Sequence, residues 1–117
     1  VWATWCAPCV AELPQFVTIN RMFRGRNFEM ITISADDPQA RDDALKVLQE
    51  LHVSSTNYLF NTDDRDKLFD GLDRQWQGGI PYTVLNAPGG KVVYGQLDSI
   101  DPRELKKVIA DHLGRTY

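Results

Sequence analysis

Two periods organise the apolar positions of the chain. Val1-Trp2-Ala3-Thr4 is a short apolar run that reads as the stub of a buried strand. From Cys6 to Arg24, Leu13, Phe16, Val17 and Phe23 fall on one side of a helix. Pro14 lies inside this helix and should kink it, because proline removes a ladder bond and crowds the preceding turn. Gly25 reads as its C-cap, with Arg21, Arg24 and Arg26 around the negative end. Phe28 to Ser34 is β-branched and aromatic, as a central strand requires. Asp36-Asp37-Pro38 then opens a helix, with Asp37 as N-cap and Pro38 at the first position. Its buried face is Ala40, Ala44, Val47, Leu48 and Leu51, and His52 stands at its C-terminal end.

The second half repeats the alternation. Asn57 to Phe60 is a short strand, Asn61 to Asp64 a turn and capping cluster, and Leu68, Phe69, Leu72 and Trp76 mark a further helix. Gln77-Gly78-Gly79-Ile80-Pro81 ends that helix. Tyr82–Asn86 and Lys91–Gln96 flank the turn Ala87-Pro88-Gly89-Gly90 and form an antiparallel hairpin. Ser99 to Asp101 starts the last helix, with Pro102 first, Leu105, Val108, Ile109 and Leu113 inside, and Gly114 closing it. Strands joined by helices pair in parallel with right-handed crossovers, and the hairpin adds antiparallel strands. The expectation is one α/β domain over residues 1–117, with a mixed five-stranded sheet covered by helices on both faces.

Composition narrows the functional classes. A hydrophobic content of 43% supports a real core, and a net charge of −3 argues against a nucleic-acid surface. No apolar run is long enough to span a membrane, and no signal peptide is visible. Val1 is not a methionine and stands inside a strand pattern, so the chain is expected to be an N-terminally truncated fragment. Any export signal or membrane anchor would then lie upstream.

The chemistry concentrates at Trp5-Cys6-Ala7-Pro8-Cys9, which holds the chain's only two cysteines. A Cys-x-x-Cys pair at a strand-to-helix junction reads as a thiol–disulfide centre. Cys6 would sit at the helix N-terminus, where unpaired N–H groups and the helix dipole favour a thiolate, the nucleophile of disulfide exchange. Cys9, about one turn on, would resolve the mixed disulfide. Pro8 suits the first turn, where a missing N–H costs nothing. Zinc would need three or four ligands, and His52 and His112 lack ligand spacing, so no metal and no cofactor beyond the Cys6–Cys9 pair is expected. Trp2 reads as core. Trp5, beside the nucleophile, would shield the disulfide and offer a flat apolar surface to a partner. Glu12 has two readings, an acid reaching the thiol region or a solvated acid favoured by the helix dipole.

Trp-Ala-Thr-Trp-Cys-Ala-Pro-Cys at 2–9, Glu12-Leu13-Pro14 and Gly79-Ile80-Pro81 resemble the thioredoxin superfamily, in particular its TlpA-like and ResA-like branch. The resemblance implies a thioredoxin fold with the branch's helix–strand insertion at about Pro38 to Asp64. It implies the strand order Asn57–Phe60, Phe28–Ser34, Val1–Thr4, Tyr82–Asn86, Lys91–Gln96. It implies that Cys6 and Cys9 cycle between dithiol and disulfide, that Ile80–Pro81 is cis with Ile80 offering backbone to an extended substrate, and that Glu12 tunes the thiols. The implied function is a thiol–disulfide oxidoreductase outside the cytoplasm, a reductant in cytochrome c maturation or general disulfide reduction. Its partners would be protein thiols and disulfides and an upstream reductase. A monomer is expected, with membrane contact only through an upstream anchor. The alternatives are a thiol peroxidase of peroxiredoxin type and a non-catalytic binding module with a structural disulfide.

Overall fold

The computed structural model describes residues 1–59 and 78–113. In chain order these form α1 (Ala7–Phe23), β1 (Ile31–Ser34), a 3₁₀ turn (Pro38–Ala40), α2 (Arg41–Glu50), β2 (Thr56–Leu59), β3 (Tyr82–Asn86), β4 (Val92–Leu97) and α3 (Pro102–His112). The turn expected at Asn61–Asp64, the helix expected around Leu68 to Trp76, and Gly114 lie outside the described residues.

Two strand pairs make the sheet. β2 runs parallel to β1 with Thr32 opposite Asn57, and β4 runs antiparallel to β3 with Val84 opposite Gly95. Residues 1 and 2 join the pairs. Trp2 forms a parallel bridge with Ser34, donating to the Ile33 carbonyl at 3.0 Å and accepting from the Ala35 N–H at 2.8 Å. Val1 exchanges both backbone bonds with Tyr82, at 2.7 and 3.3 Å, the signature of antiparallel pairing. The order β2, β1, residues 1–2, β3, β4 is the expected one.

The expected stub Val1–Thr4 is shorter than the sequence suggests. Pairing covers residues 1 and 2 alone, because the Cys6 N–H bonds the Ala3 carbonyl at 3.1 Å and closes a β-turn over Thr4 and Trp5. Strand pairing therefore stops where the chain bends into α1.

α1 is apolar on more than one side, because it sits between two clusters. Leu13, with Cys6 and Cys9, packs with Trp2, Ala44 of α2 and Val53. Ile19 and Phe23 pack with Ile100 and with Leu105 and Ile109 of α3. Sequence periodicity missed Ile19, one of the most buried side chains. Pro14 falls inside the helix as expected.

Several termini differ from expectation. Gly25 is not the left-handed residue after α1. That conformation falls on Asn27 (φ 57°), and the chain leaves the helix through Arg24 in ordinary helical geometry. The strand after it starts at Ile31 rather than Phe28. Asp37 precedes the 3₁₀ turn without a side-chain cap bond, and α2 starts only at Arg41. By contrast, Asp101 caps α3 through the Arg103 N–H at 3.0 Å, with Pro102 at its first position.

His52 ends α2 in a way its charge does not explain. Its φ is 57°, its N–H bonds the Gln49 carbonyl at 3.2 Å, and the next N–H, of Val53, bonds the Leu48 carbonyl at 2.9 Å. This is a Schellman motif, whose left-handed position glycine usually fills. A Cβ in that conformation costs about 1–2 kcal/mol, against roughly 0.5–1 kcal/mol of extra chain entropy for glycine. His52→Gly should therefore raise the unfolding free energy by about 0.5–1 kcal/mol in urea titration. A loss of stability would show that the imidazole makes a contact worth more than the strain.

Candidate active site

The site lies where residues 1–2 leave the sheet. Bonded on both sides, this rung delivers Cys6 directly to the start of α1. Cys6 is the N-cap residue, extended at φ −99° and ψ 98°, and its carbonyl accepts from the Val10 N–H at 3.1 Å. Pro8 occupies the first turn, where the helix has N–H groups to spare. Cys6 and Cys9 form a disulfide with their Cα atoms 5.2 Å apart. Both cysteines are buried, Cys6 at 7% exposure and Cys9 at 2%. The cysteine expected to attack is thus the more exposed residue of the two.

Around the pair, the structure gathers the other residues singled out above. Trp5 occupies a corner of the Ala3–Cys6 turn and is 69% exposed, so its indole is presented to solvent beside Cys6. The Ile80–Pro81 peptide is cis, and Ile80 packs against the cluster that contains both cysteines. Pro81 is held at the start of β3 by its carbonyl, which accepts from the Asp98 N–H at 2.9 Å. Cys9, Glu12, Pro81, Tyr82 and Trp2 all line one cavity of about 620 Å³ that continues along β1 and β3. Among the described residues, the Trp2 indole N–H, buried in the same region, has no hydrogen-bond partner.

Glu12 is expected either to reach the thiol region or to be a solvated acid. It is not a solvated acid, being only 4% exposed. Its Oε2 accepts from the Ile100 N–H at 2.8 Å, tying α1 to the segment that leads into α3. Burial pushes its carboxyl above the ordinary range, and the Ile100 bond only partly offsets this. Cavity lining places it with Cys9.

Asp36 was missed as a site residue. The sequence placed it in a helix-opening cluster, yet it is buried and its carboxylate holds the turn that precedes Cys6. The available signal was position, an acid two residues beyond the end of a strand that should lie beside residues 1–4. Among the described residues no three His, Cys, Asp or Glu side chains converge as a metal site would require. No described helix is long and apolar enough to cross a membrane.

A helix N-terminus carrying Cys-x-x-Cys, set against a cis-proline before a hairpin in a mixed sheet, is the architecture of a thioredoxin fold. Solved structures agree. A thiol:disulfide interchange protein of the thioredoxin family from Chlorobium tepidum superposes with a TM-score of 0.80 at 19% identity, over 97% of this chain and 76% of that one. The thioredoxin domain of a thiol-disulfide oxidoreductase from Bacteroides vulgatus gives 0.79 at 21% identity, over 97% and 75%. At such identities the neighbours establish the fold. The Redoxin family model matches residues 1–110, and the chain belongs to that family. In sequence it is also similar to the thiol-disulfide oxidoreductase ResA of Oceanobacillus iheyensis, 24% identical over 91 residues. That match covers 78% of this chain but only 43% of the relative's length.

The Glu12 environment has a pH signature. A carboxyl whose folded-state pKa is raised binds more protons folded than unfolded, so stability falls as pH rises from its ordinary value of 4.5 through the raised value. Glu12→Gln keeps an acceptor for the Ile100 N–H and removes the titration. Denaturation followed from pH 4 to 8 should show this decline in the parent protein and a flatter profile in the variant. Parallel profiles would contradict the assignment.

Proposed function

We propose that the protein is a thiol–disulfide oxidoreductase that exchanges disulfides with protein partners through Cys6 and Cys9. The observation that carries this reading is the pair itself, bonded to each other at the N-terminus of α1 with the first cysteine at the N-cap.

In the reduced protein the Cys6 thiolate attacks a partner disulfide. A Cys6–partner S–S bond forms, and the departing partner sulfur takes up a proton. Cys9, deprotonated, then attacks the Cys6 sulfur. The Cys6–Cys9 bond forms, the second partner sulfur leaves as a thiol, and the partner has gained two electrons. The N-terminus of α1 supports the Cys6 thiolate electrostatically. Glu12, lining the cavity with Cys9 and held at elevated pKa, is suited to receive a proton as Cys9 ionises. Trp5 and Ile80 supply an exposed apolar surface and a backbone segment beside the disulfide, suited to an extended polypeptide rather than a small molecule.

A finer reading is a reductant outside the cytoplasm, acting in cytochrome c maturation or general disulfide reduction and recharged by an upstream reductase. It is supported by the resemblance to the ResA-like branch. The peroxidase alternative is less well supported, because the candidate nucleophile is bonded to a neighbour three residues away within one helical turn.

Insulin reduction with dithiothreitol as electron source tests the assignment. Cys6→Ser should abolish turnover, whereas Cys9→Ser should accumulate a mixed disulfide that dithiothreitol dissolves. Peroxide consumption without insulin reduction would move the assignment to a thiol peroxidase. Inactivity in both assays would leave a binding module.

A further inference from the structure

The parallel bridge between Trp2 and Ser34 sets a register that continues two residues past the strands. Thr4 comes opposite Asp36, and Ser34 and Asp36, two apart, point the same way. The contacts follow. The Thr4 N–H reaches both Asp36 oxygens, at 3.2 and 3.1 Å, and the Thr4 hydroxyl donates to Oδ1 at 2.6 Å. The Ser34 hydroxyl donates to Oδ2 at 2.5 Å while accepting from the Asp36 N–H at 3.1 Å. Asp36 is 3% exposed and Ser34 is 2% exposed. A buried carboxylate is costly unless its lone pairs are met, and here donors from the turn and from β1 meet them.

One peptide unit connects this cluster to the redox centre. The Ala3–Thr4 peptide gives its N–H to Asp36, and its carbonyl takes the Cys6 N–H at 3.1 Å. Asp36 therefore holds the plane of the peptide that closes the Ala3–Cys6 turn. That turn puts Cys6 at the N-cap of α1 and Trp5 at an exposed corner.

We propose that Asp36 is a positioning residue for the redox centre, acting through Thr4 to fix the turn that seats Cys6 at the start of α1 and presents Trp5. The proposal rests on the oxidoreductase reading for its purpose. Its mechanism concerns the Cys6 thiol whatever the partner. The hydrogen bonds of Asp36 go to Thr4 and Ser34, and in this proposal it takes no part in the exchange itself.

The test uses the reduced protein and no partner. Alkylation of Cys6 by iodoacetamide is followed by peptide mass spectrometry from pH 5 to 10, alongside thermal unfolding. Asp36→Asn retains size and an acceptor for the Thr4 N–H, and its amide can donate to a hydroxyl that turns to accept. Asp36→Ala retains neither. The expected result is that Asp36→Ala slows Cys6 alkylation at pH 7 about tenfold and moves the midpoint of the pH–rate profile upward, because the thiolate loses its seat at the helix N-terminus. Asp36→Asn should stay within about threefold of the parent, by conservation of the same contacts. Thr4→Val should slow the reaction and Thr4→Ser should restore it, a pair that decides the matter if Asp36→Ala does not fold. Lowered melting temperatures with an unmoved pH–rate profile would overturn the proposal and leave Asp36 a purely structural acid. Equal downward shifts in Asp36→Asn and Asp36→Ala would also overturn it, showing that only the carboxylate's charge acts. An insulin assay on the same samples keeps this separate from the functional reading, since loss of turnover in the parent protein would sink the oxidoreductase without touching the Asp36 comparison.

Discussion

Val1 and Trp2 carry the hydrogen bonds that make two strand pairs into one sheet. On one side Trp2 is bound to Ile33 and Ala35, and on the other Val1 is bound to Tyr82. Everything around the disulfide takes its place from this rung. The turn over Thr4 and Trp5 starts immediately after it, α1 starts after the turn, and the cis Ile80–Pro81 peptide immediately precedes the residue paired with Val1. The helix N-terminus that carries Cys6 and the cis-peptide segment beside it both come from elements bonded to the same two residues.

The polar groups near the rung are as specific as its backbone bonds. Asp36 satisfies the turn from the side of β1, and Glu12 satisfies the Ile100 N–H from the side of α1. Both acids are buried, and their environments differ. Asp36 is surrounded by hydroxyl and N–H donors from Ser34 and Thr4, while Glu12 meets the Ile100 N–H and faces the cavity that Cys9 also lines. The first holds the turn before Cys6 in place, and in the second burial raises the carboxyl's pKa.

Much of this was legible in the sequence. The Cys-x-x-Cys spacing after an apolar run marked the start of α1 and the cysteine pair there, because few other arrangements need two thiols one turn apart at a helix start. The hairpin was legible from its Pro-Gly-Gly turn, and Pro102 after Asp101 marked the start of α3. What escaped were features decided by tertiary register. Asp36 looks like the start of a helix until Thr4 is known to lie opposite it. Glu12 keeps two readings, an acid near the thiols or a solvated one, until Ile100 arrives from 88 residues away. His52 gives no local sign that it will take a left-handed conformation usually left to glycine, and Gly25 gives a false one. Ile19 broke the expected stripe because α1 is packed on more than one side, so a single-face pattern understates its core.

What distinguishes an exchangeable redox centre from a structural clasp is whether Cys6–Cys9 opens reversibly while the domain stays folded. The most direct test is the equilibrium of the pair in graded glutathione and dithiothreitol buffers, read by Trp5 fluorescence and thiol alkylation. An exchangeable centre gives a reversible two-electron transition in the folded protein, within the range of roughly −270 to −120 mV spanned by related dithiol centres. A bond that resists these buffers until the domain unfolds would contradict the proposed function.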